Sequence, residues 1–220
     1  MLLIFSVIDG SVKVERKVFF GGSFDPPHRG HLGIARGALK SGKCDRVIWF
    51  PGFVPPHKQN ASRANFSDRM AMVKLLIAGE KNMEVSDFEN ILQLSPSYTI
   101  EVLSRLEKAG YGKFSLLIGA DSLLNLHTWH RAEELVAKYD FIVYPRPGCE
   151  VSKVFLKQFW SDAVVEKLLN SVVEGTFFEI SSSEIKKSME KNCSRNNIID
   201  ETMLTPEVAE YIREHNLYNR

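Results

Sequence analysis

Short apolar runs rich in β-branched and aromatic residues alternate along this chain with longer stretches whose apolar residues recur every three to four positions. That alternation is the pattern of βαβ units around a parallel sheet. The short runs predict strands at Val18–Phe20, Arg46–Phe50, Met83–Ser86, Phe114–Ile118, Phe141–Tyr144 and Phe177–Ile180. Helices are expected between them. "HLGIARGALKSG" places Leu32, Ala35 and Leu39 on one face; "SDRMAMVKLLIAG" opens on a capping Ser67 and closes on Gly79; "PSYTIEVLSRLEKAG" closes on Gly110. The tail "TPEVAEYIREHNLY" predicts a final amphipathic helix with Val208, Tyr211 and Ile212 facing inward. In "VSKVFLKQFWSDAVVEKLLNSVVEG", Phe155, Phe159 and Trp160 are expected to cover the core rather than form an interface.

Ligands in open α/β sheets collect beyond the carboxyl ends of the strands. The segments at those ends are "GGSFDPPHRGH", "PGFVPPHK", "GADSLLNLHTWH", "PRPG" and "SSSEIKK", which is where a site is expected.

Composition narrows the class without naming the chemistry. A 220-residue chain with 44% hydrophobic and 25% charged residues can bury a full-sized core, which sets aside disordered and fibrous classes. Its net charge of +1, with no basic stripe, argues against a nucleic-acid partner. Cys44, Cys149 and Cys193 are far apart and in no metal-ligand spacing, which suits free thiols in a reducing cytoplasm. The run "MLLIFSVI" lacks a basic flank and a small-residue cleavage site and reaches Asp9 well short of a membrane span. Residues 1–16 are therefore read as an N-terminal extension and 17–220 as a single domain.

The stretch "FFGGSFDPPHRGHLGIA" carries the chemistry. Gly21 and Gly22 after a buried strand permit a sharp turn and close approach to a ligand, and the following helix N-terminus offers unpaired N–H groups and a partial positive charge. The result is a phosphate seat, without the Gly-Lys-Ser/Thr of a Walker loop or the full dinucleotide fingerprint. His28 and His31, three residues apart, fall on one side of a helical turn and can donate to charge developing on a phosphoryl group. No third ligand at a supporting spacing favours a metal site instead.

"GGSFDPPHRGH" resembles the GG(T/S)FDPxHxGH signature of the nucleotidyltransferase superfamily, with every characteristic position filled. "EISSSEIKKSM" is similar to its ISSTxIR element, with Ser183 for the usual Thr and Lys186 for the usual Arg. "PGFVPPHK", "PSYTIEVL", "GADSLLNLHTWHRAEEL", "YPRPG" and "YIREHNLY" resemble, in that order, the bacterial nicotinate-mononucleotide adenylyltransferases, from about Lys17 to Tyr218. The resemblance implies a Rossmann-like α/β nucleotidyltransferase fold: a parallel sheet, helices on both faces and a C-terminal helical segment. It also implies adenylyl transfer from ATP to nicotinate mononucleotide, giving nicotinate adenine dinucleotide and pyrophosphate in NAD biosynthesis.

The resemblance further implies roles for particular residues. His28, His31, Lys58 and Lys186 would act on the phosphates. ATP would lie against Gly21, Gly22, Ser23, Phe24, Gly119, Asp121, Ser181, Ser182 and Ser183 as well as the two histidines. The acceptor would meet Ser23, His57, Lys58, Tyr98 and Thr99, with Trp129 stacked on its pyridine ring. Mg²⁺ would ride on the triphosphate with no protein side-chain ligand. Lys186 exchanges a planar fork for a point charge, and Lys187 is a nearby substitute. The expected partners are these small molecules, with no nucleic acid or membrane. Rival readings are a nicotinamide-mononucleotide or phosphopantetheine acceptor, and a non-catalytic nucleotide-binding regulator.

Overall fold

The computed structural model describes residues 6–8, 11–53, 64–175, 180–192 and 202–218. The strands are β1 (Ser6–Ile8), β2 (Ser11–Lys13), β3 (Lys17–Gly22), β4 (Arg46–Pro51), β5 (Met83–Val85), β6 (Phe114–Gly119) and β7 (Phe141–Tyr144). The helices are α1 (Arg29–Lys40), α2 (Phe66–Leu76), α3 (Phe88–Leu92), α4 (Thr99–Lys108), α5 (Ala120–Leu124), α6 (Ala132–Lys138), α7 (Lys153–Leu156), α8 (Asp162–Asn170), α9 (Ser182–Asn192) and α10 (Pro206–Glu214).

Five strands form a parallel sheet in the order β5-β4-β3-β6-β7, while β1 and β2 pair antiparallel in a small sheet of their own. The strand period of two explains the near-continuous apolar runs, because both faces of the sheet are covered. On one face Val18, Phe20, Val47 and Trp49 pack with Leu32 and Ala35 of α1, Val73 of α2 and Val208 of α10. On the other, Phe19, Ile48, Phe50 and Leu116 pack with Leu103 of α4, Leu135 of α6 and Leu168 of α8. Successive strands are added to one side of central β3 and then to the other, which leaves a crevice beyond the carboxyl ends of β3 and β6, the switch point of an open sheet.

One helix start differs from the sequence expectation. The second helix starts at Phe66, because Asn65 rather than Ser67 is its cap: the Asn65 carboxamide oxygen accepts the Asp68 N–H at 2.8 Å and the Ser67 hydroxyl at 2.6 Å. In α10 Val208, Ala209 and Ile212 are buried and Tyr211 packs half-buried against the same cluster while donating its hydroxyl to Asp68, so the expected face points inward. Past β7, a parallel bridge joins Val143 to Val172, ahead of the expected strand at Phe177–Ile180, of which only Ile180 lies within the described residues. Phe155 and Trp160 pack against the second cluster; Phe159 is exposed and stacks on His127. No helix among the described residues is long and apolar enough to cross a membrane.

Candidate active site

A cleft of about 410 Å³ opens beyond β3 and β6, between the Gly21–Phe24 turn, the start of α5 and the start of α9. A hollow of about 790 Å³ adjoins it beside Tyr98, Thr99 and His130, and a chamber of about 160 Å³ lies beside Gly52, Glu89 and Ser97. Trp129 borders all three, which lie side by side around it.

The two histidines are locked together by the start of α1. His28 is its N-cap: the His28 Nδ1 accepts the His31 N–H, and the His31 Nδ1 accepts the His28 N–H, each at 3.3 Å. A ring nitrogen that accepts carries no proton, so in each imidazole the proton sits on Nε2. The ring centroids are 3.7 Å apart, and the buried Phe24 ring stands edge-on to His31. Burial, reinforced by the nearby Arg146 charge, pushes His28 down to about 3, so it is a neutral donor throughout the physiological range. Gly30 makes the arrangement possible: a Cβ there would stand 2.9 Å from the His28 Nδ1. Phe24 itself is held at φ 46°, a conformation that costs an ordinary side chain strain and that is met at functional turns.

The start of α9 closes the same lobe. Ser181 caps it, its hydroxyl accepting the Glu184 N–H at 3.2 Å and donating to the Glu184 carboxylate at 2.9 Å. Ser182 donates its hydroxyl to the Pro26 carbonyl at 2.9 Å, tying this helix to the loop that carries His28. Ser181, Ser182 and Ser183 all line the cleft, so hydroxyls and helix-terminal N–H groups meet the two imidazoles there.

Gly119 and Asp121 border the cleft from β6 and α5. The Asp121 carboxylate pairs with Arg146 at 2.8 Å and folds back over Gly119, where a Cβ would stand only 2.4 Å from it. In the adjoining hollow, Tyr98 stacks on His130 at 4.2 Å between centroids, and α4 begins at Thr99 with no side-chain cap hydrogen bond, while the Glu101 and Val102 N–H groups bond the Tyr98 carbonyl. Trp129 is half-buried and packs against the second core cluster on one side.

Two buried charged residues tie the cleft loops together. Arg69 of α2 donates to the carbonyls of Ser23 and Gly52, both at 2.8 Å, bridging the ends of β3 and β4. Asp25 accepts from the Ala64 N–H at 3.1 Å, the Tyr218 hydroxyl at 2.7 Å and the Lys186 ammonium at 3.1 Å. One carboxylate thus joins the histidine loop, α9 and the C-terminal segment. The Tyr218 phenol is strongly disfavoured from ionising, by burial first and by the Asp25 charge second.

Of the residues that the sequence nominates, Gly21, Gly22, Ser23, Phe24, His28, His31, Gly119, Asp121, Ser181, Ser182, Ser183 and Trp129 line the first cleft, and Tyr98 and Thr99 the adjoining hollow. His57 and Lys58 lie outside the described residues. Lys186 is engaged with Asp25 and is absent from the described lining, and Lys187 is exposed. Arg146, Ser122 and Glu89 border the cleft without having been nominated. The "YPRPG" segment holds the signal for Arg146; nothing in the pattern singles out Glu89. Among the described residues no group of three or more His, Cys, Asp or Glu gathers to hold a metal ion.

Residues 19–188 match the family model described as cytidylyltransferase-like. The chain is 36% identical over 208 residues to a protein of Gloeobacter violaceus named probable nicotinate-nucleotide adenylyltransferase, covering 93% of this chain and 97% of that one. A protein of Caldicellulosiruptor saccharolyticus with the same name is 36% identical over 200 residues, covering 90% and 96%. Among solved structures, the nicotinic acid mononucleotide adenylyltransferase of Plasmodium falciparum complexed with NaAD has the same fold, with a TM-score of 0.72 at 20% identity over 93% of this chain and 97% of that one.

Proposed function

We propose that this chain, which belongs to the cytidylyltransferase-like family and within it to the nicotinate-nucleotide adenylyltransferases, transfers the adenylyl group of ATP to nicotinate mononucleotide. The products are nicotinate adenine dinucleotide, an intermediate of NAD biosynthesis, and pyrophosphate. The observation that carries this reading is a pair of adjoining hollows that share Trp129, with the interlocked His28 and His31 in one and a helix start without a side-chain cap in the other. The first suits a triphosphate and the second a flat ring bearing a carboxylate.

In this reading an oxygen of the acceptor's 5′-phosphate attacks the α-phosphorus in line, the bond to pyrophosphate breaks, and no covalent enzyme intermediate forms. His28 and His31 donate through Nε2 to the phosphate oxygens, and the start of α9 with Ser181–Ser183 holds the far phosphates. Trp129 stacks on the pyridine ring, and the N–H groups at Thr99 receive its carboxylate. His57 and Lys58 are assigned to the acceptor phosphate on the resemblance alone. Lys186, bound to Asp25, supports the site by holding the histidine loop against α9. Mg²⁺, carried by the triphosphate, would neutralise the charge that two anionic reactants bring together; the hydroxyls, imidazoles and N–H groups here suit a metal-bearing triphosphate. Dissolved nucleotide substrates fit a cytoplasmic enzyme.

Two substitutions test the assignment. His31→Ala should fold and lose about 10² to 10³ in kcat, the usual effect of removing one preorganised donor. Trp129→Ala should raise the KM for the mononucleotide while leaving that for ATP nearly unchanged. A His31→Ala protein as active as the parent would remove the basis of the reading.

A further inference from the structure

The acceptor end of the cleft holds a carboxylic acid that the transfer itself does not use. Glu89, in α3, is 5% exposed and stands in the wall of the 160 Å³ chamber with Ser97, Thr99 and Trp129. Its Oε2 accepts both the Phe53 N–H, at 3.1 Å, and the Ser97 hydroxyl. Two donors on one oxygen fix the plane of the carboxyl group and leave Oε1 for a molecule in the chamber.

Among the described residues lining the chamber, Glu89 is the only titratable one. The cation whose field reaches it is Arg69 of α2, whose guanidinium is bonded to the Ser23 and Gly52 carbonyls. Burial outweighs the hydrogen bonds and that charge, and pushes the carboxyl up to about 7.

We infer that Glu89 is a specificity-determining residue, which reads through Oε1 whether the acceptor's pyridine ring carries a carboxylate or a carboxamide. A protonated Glu89 donates its O–H to a carboxylate. An ionised Glu89 repels a carboxylate and accepts an amide N–H instead. The inference rests on the acceptor reading above, since it places the ring of the mononucleotide beside Trp129 and Thr99.

The test is the ratio of kcat/KM for nicotinate mononucleotide to kcat/KM for nicotinamide mononucleotide between pH 6 and pH 8. Neither ring substituent changes charge in that range, and the titrations of ATP and of the shared 5′-phosphate cancel in the ratio. The neutral fraction of a group titrating at about 7 falls from roughly 0.9 to roughly 0.1 over this interval while the ionised fraction rises in mirror image, so the ratio should drop about a hundredfold. Glu89→Gln, fixed in the neutral form, should show a flat ratio while retaining use of the acid. Where amide turnover is too slow to time, its inhibition constant against the acid replaces it. A pH-independent ratio in the parent protein overturns the inference, as does a Glu89→Gln protein that keeps the parent's slope. The parent measurement decides alone if the variant fails to fold. Turnover of neither pyridine mononucleotide would instead overturn the acceptor reading, and this inference with it.

Discussion

Replacing Lys186 by methionine should unfold this protein more easily before it affects catalysis in any other way. Lys186 and Asp25 are 3.1 Å apart, with side-chain exposures of only 15% and 3%. At an effective dielectric constant of 20 their gross attraction is about 5 kcal/mol, and much of it is offset by desolvation. Removing one partner is a different matter, since the remaining charge stays buried; such losses typically cost about 3–5 kcal/mol. Asp25 would keep its bonds from Ala64 and Tyr218, which places Lys186→Met near 3 kcal/mol, an estimate at the low end of that range. In a chain of this size that lowers the Tm by about 6–12 °C. Asp25→Asn should cost a similar amount, and the double variant less than the sum by about 1–3 kcal/mol, because the two groups lose the same interaction. Thermal unfolding of the four proteins at one pH measures all of this. A Lys186→Met protein with an unchanged Tm and a kcat lowered a hundredfold would refute the reasoning and return Lys186 to the triphosphate.

The histidine pair and the acceptor acid give further expectations. His28→Asn should keep the helix cap, since asparagine caps well, but lose about 10² to 10³ in kcat. His28 ordinarily titrates at 6.5 and in the fold at about 3, so the unfolded chain binds the proton first as pH falls, and stability is lost between those values at about 1.4 kcal/mol per pH unit. Urea unfolding of His28→Asn should show a correspondingly weaker acid destabilisation than the parent. Gly30→Ala should displace the His28 ring and lower kcat with little change in Tm; parent-like activity would show that the ring tolerates the contact. Glu89 shifts the other way, from 4.5 to about 7, so its stabilising contribution is complete below 4.5 and is lost as pH rises through 7. Glu89→Gln should therefore gain stability relative to the parent over that window, by on the order of 3 kcal/mol, and equal Tm values at pH 8 would contradict this.

Period-two and period-three-to-four patterns were enough to read the sheet, because strands covered on both faces leave runs that turn signals bound clearly. Val18, Phe19 and Phe20 fall on alternating sides of β3 and enter two different core clusters, yet look alike as sequence. The helix starting at Phe66 was misread by two residues because asparagine and serine are both good caps, and only the Asn65–Asp68 bond distinguishes them. The main lobe was legible because its donors sit together in "GGSFDPPHRGH" and "SSSEIKK". Its ties were not: Asp25 meets Lys186 and Tyr218 across 161 and 193 residues, and spacing carries no trace of such contacts. Glu89 was missed for a related reason, since its importance lies in being buried, and a glutamate among apolar residues reads as one more exposed helix charge.

The most direct test of the central claim is to supply the purified protein with ATP and Mg²⁺ and to measure pyrophosphate release and the mass of the product with three acceptors: nicotinate mononucleotide, nicotinamide mononucleotide and phosphopantetheine. Strong release with the nicotinate acceptor, accompanied by nicotinate adenine dinucleotide, is the predicted result. Release with phosphopantetheine alone would keep adenylyl transfer and overturn the acceptor lobe, and a protein that binds ATP yet turns over none of the three would contradict the account.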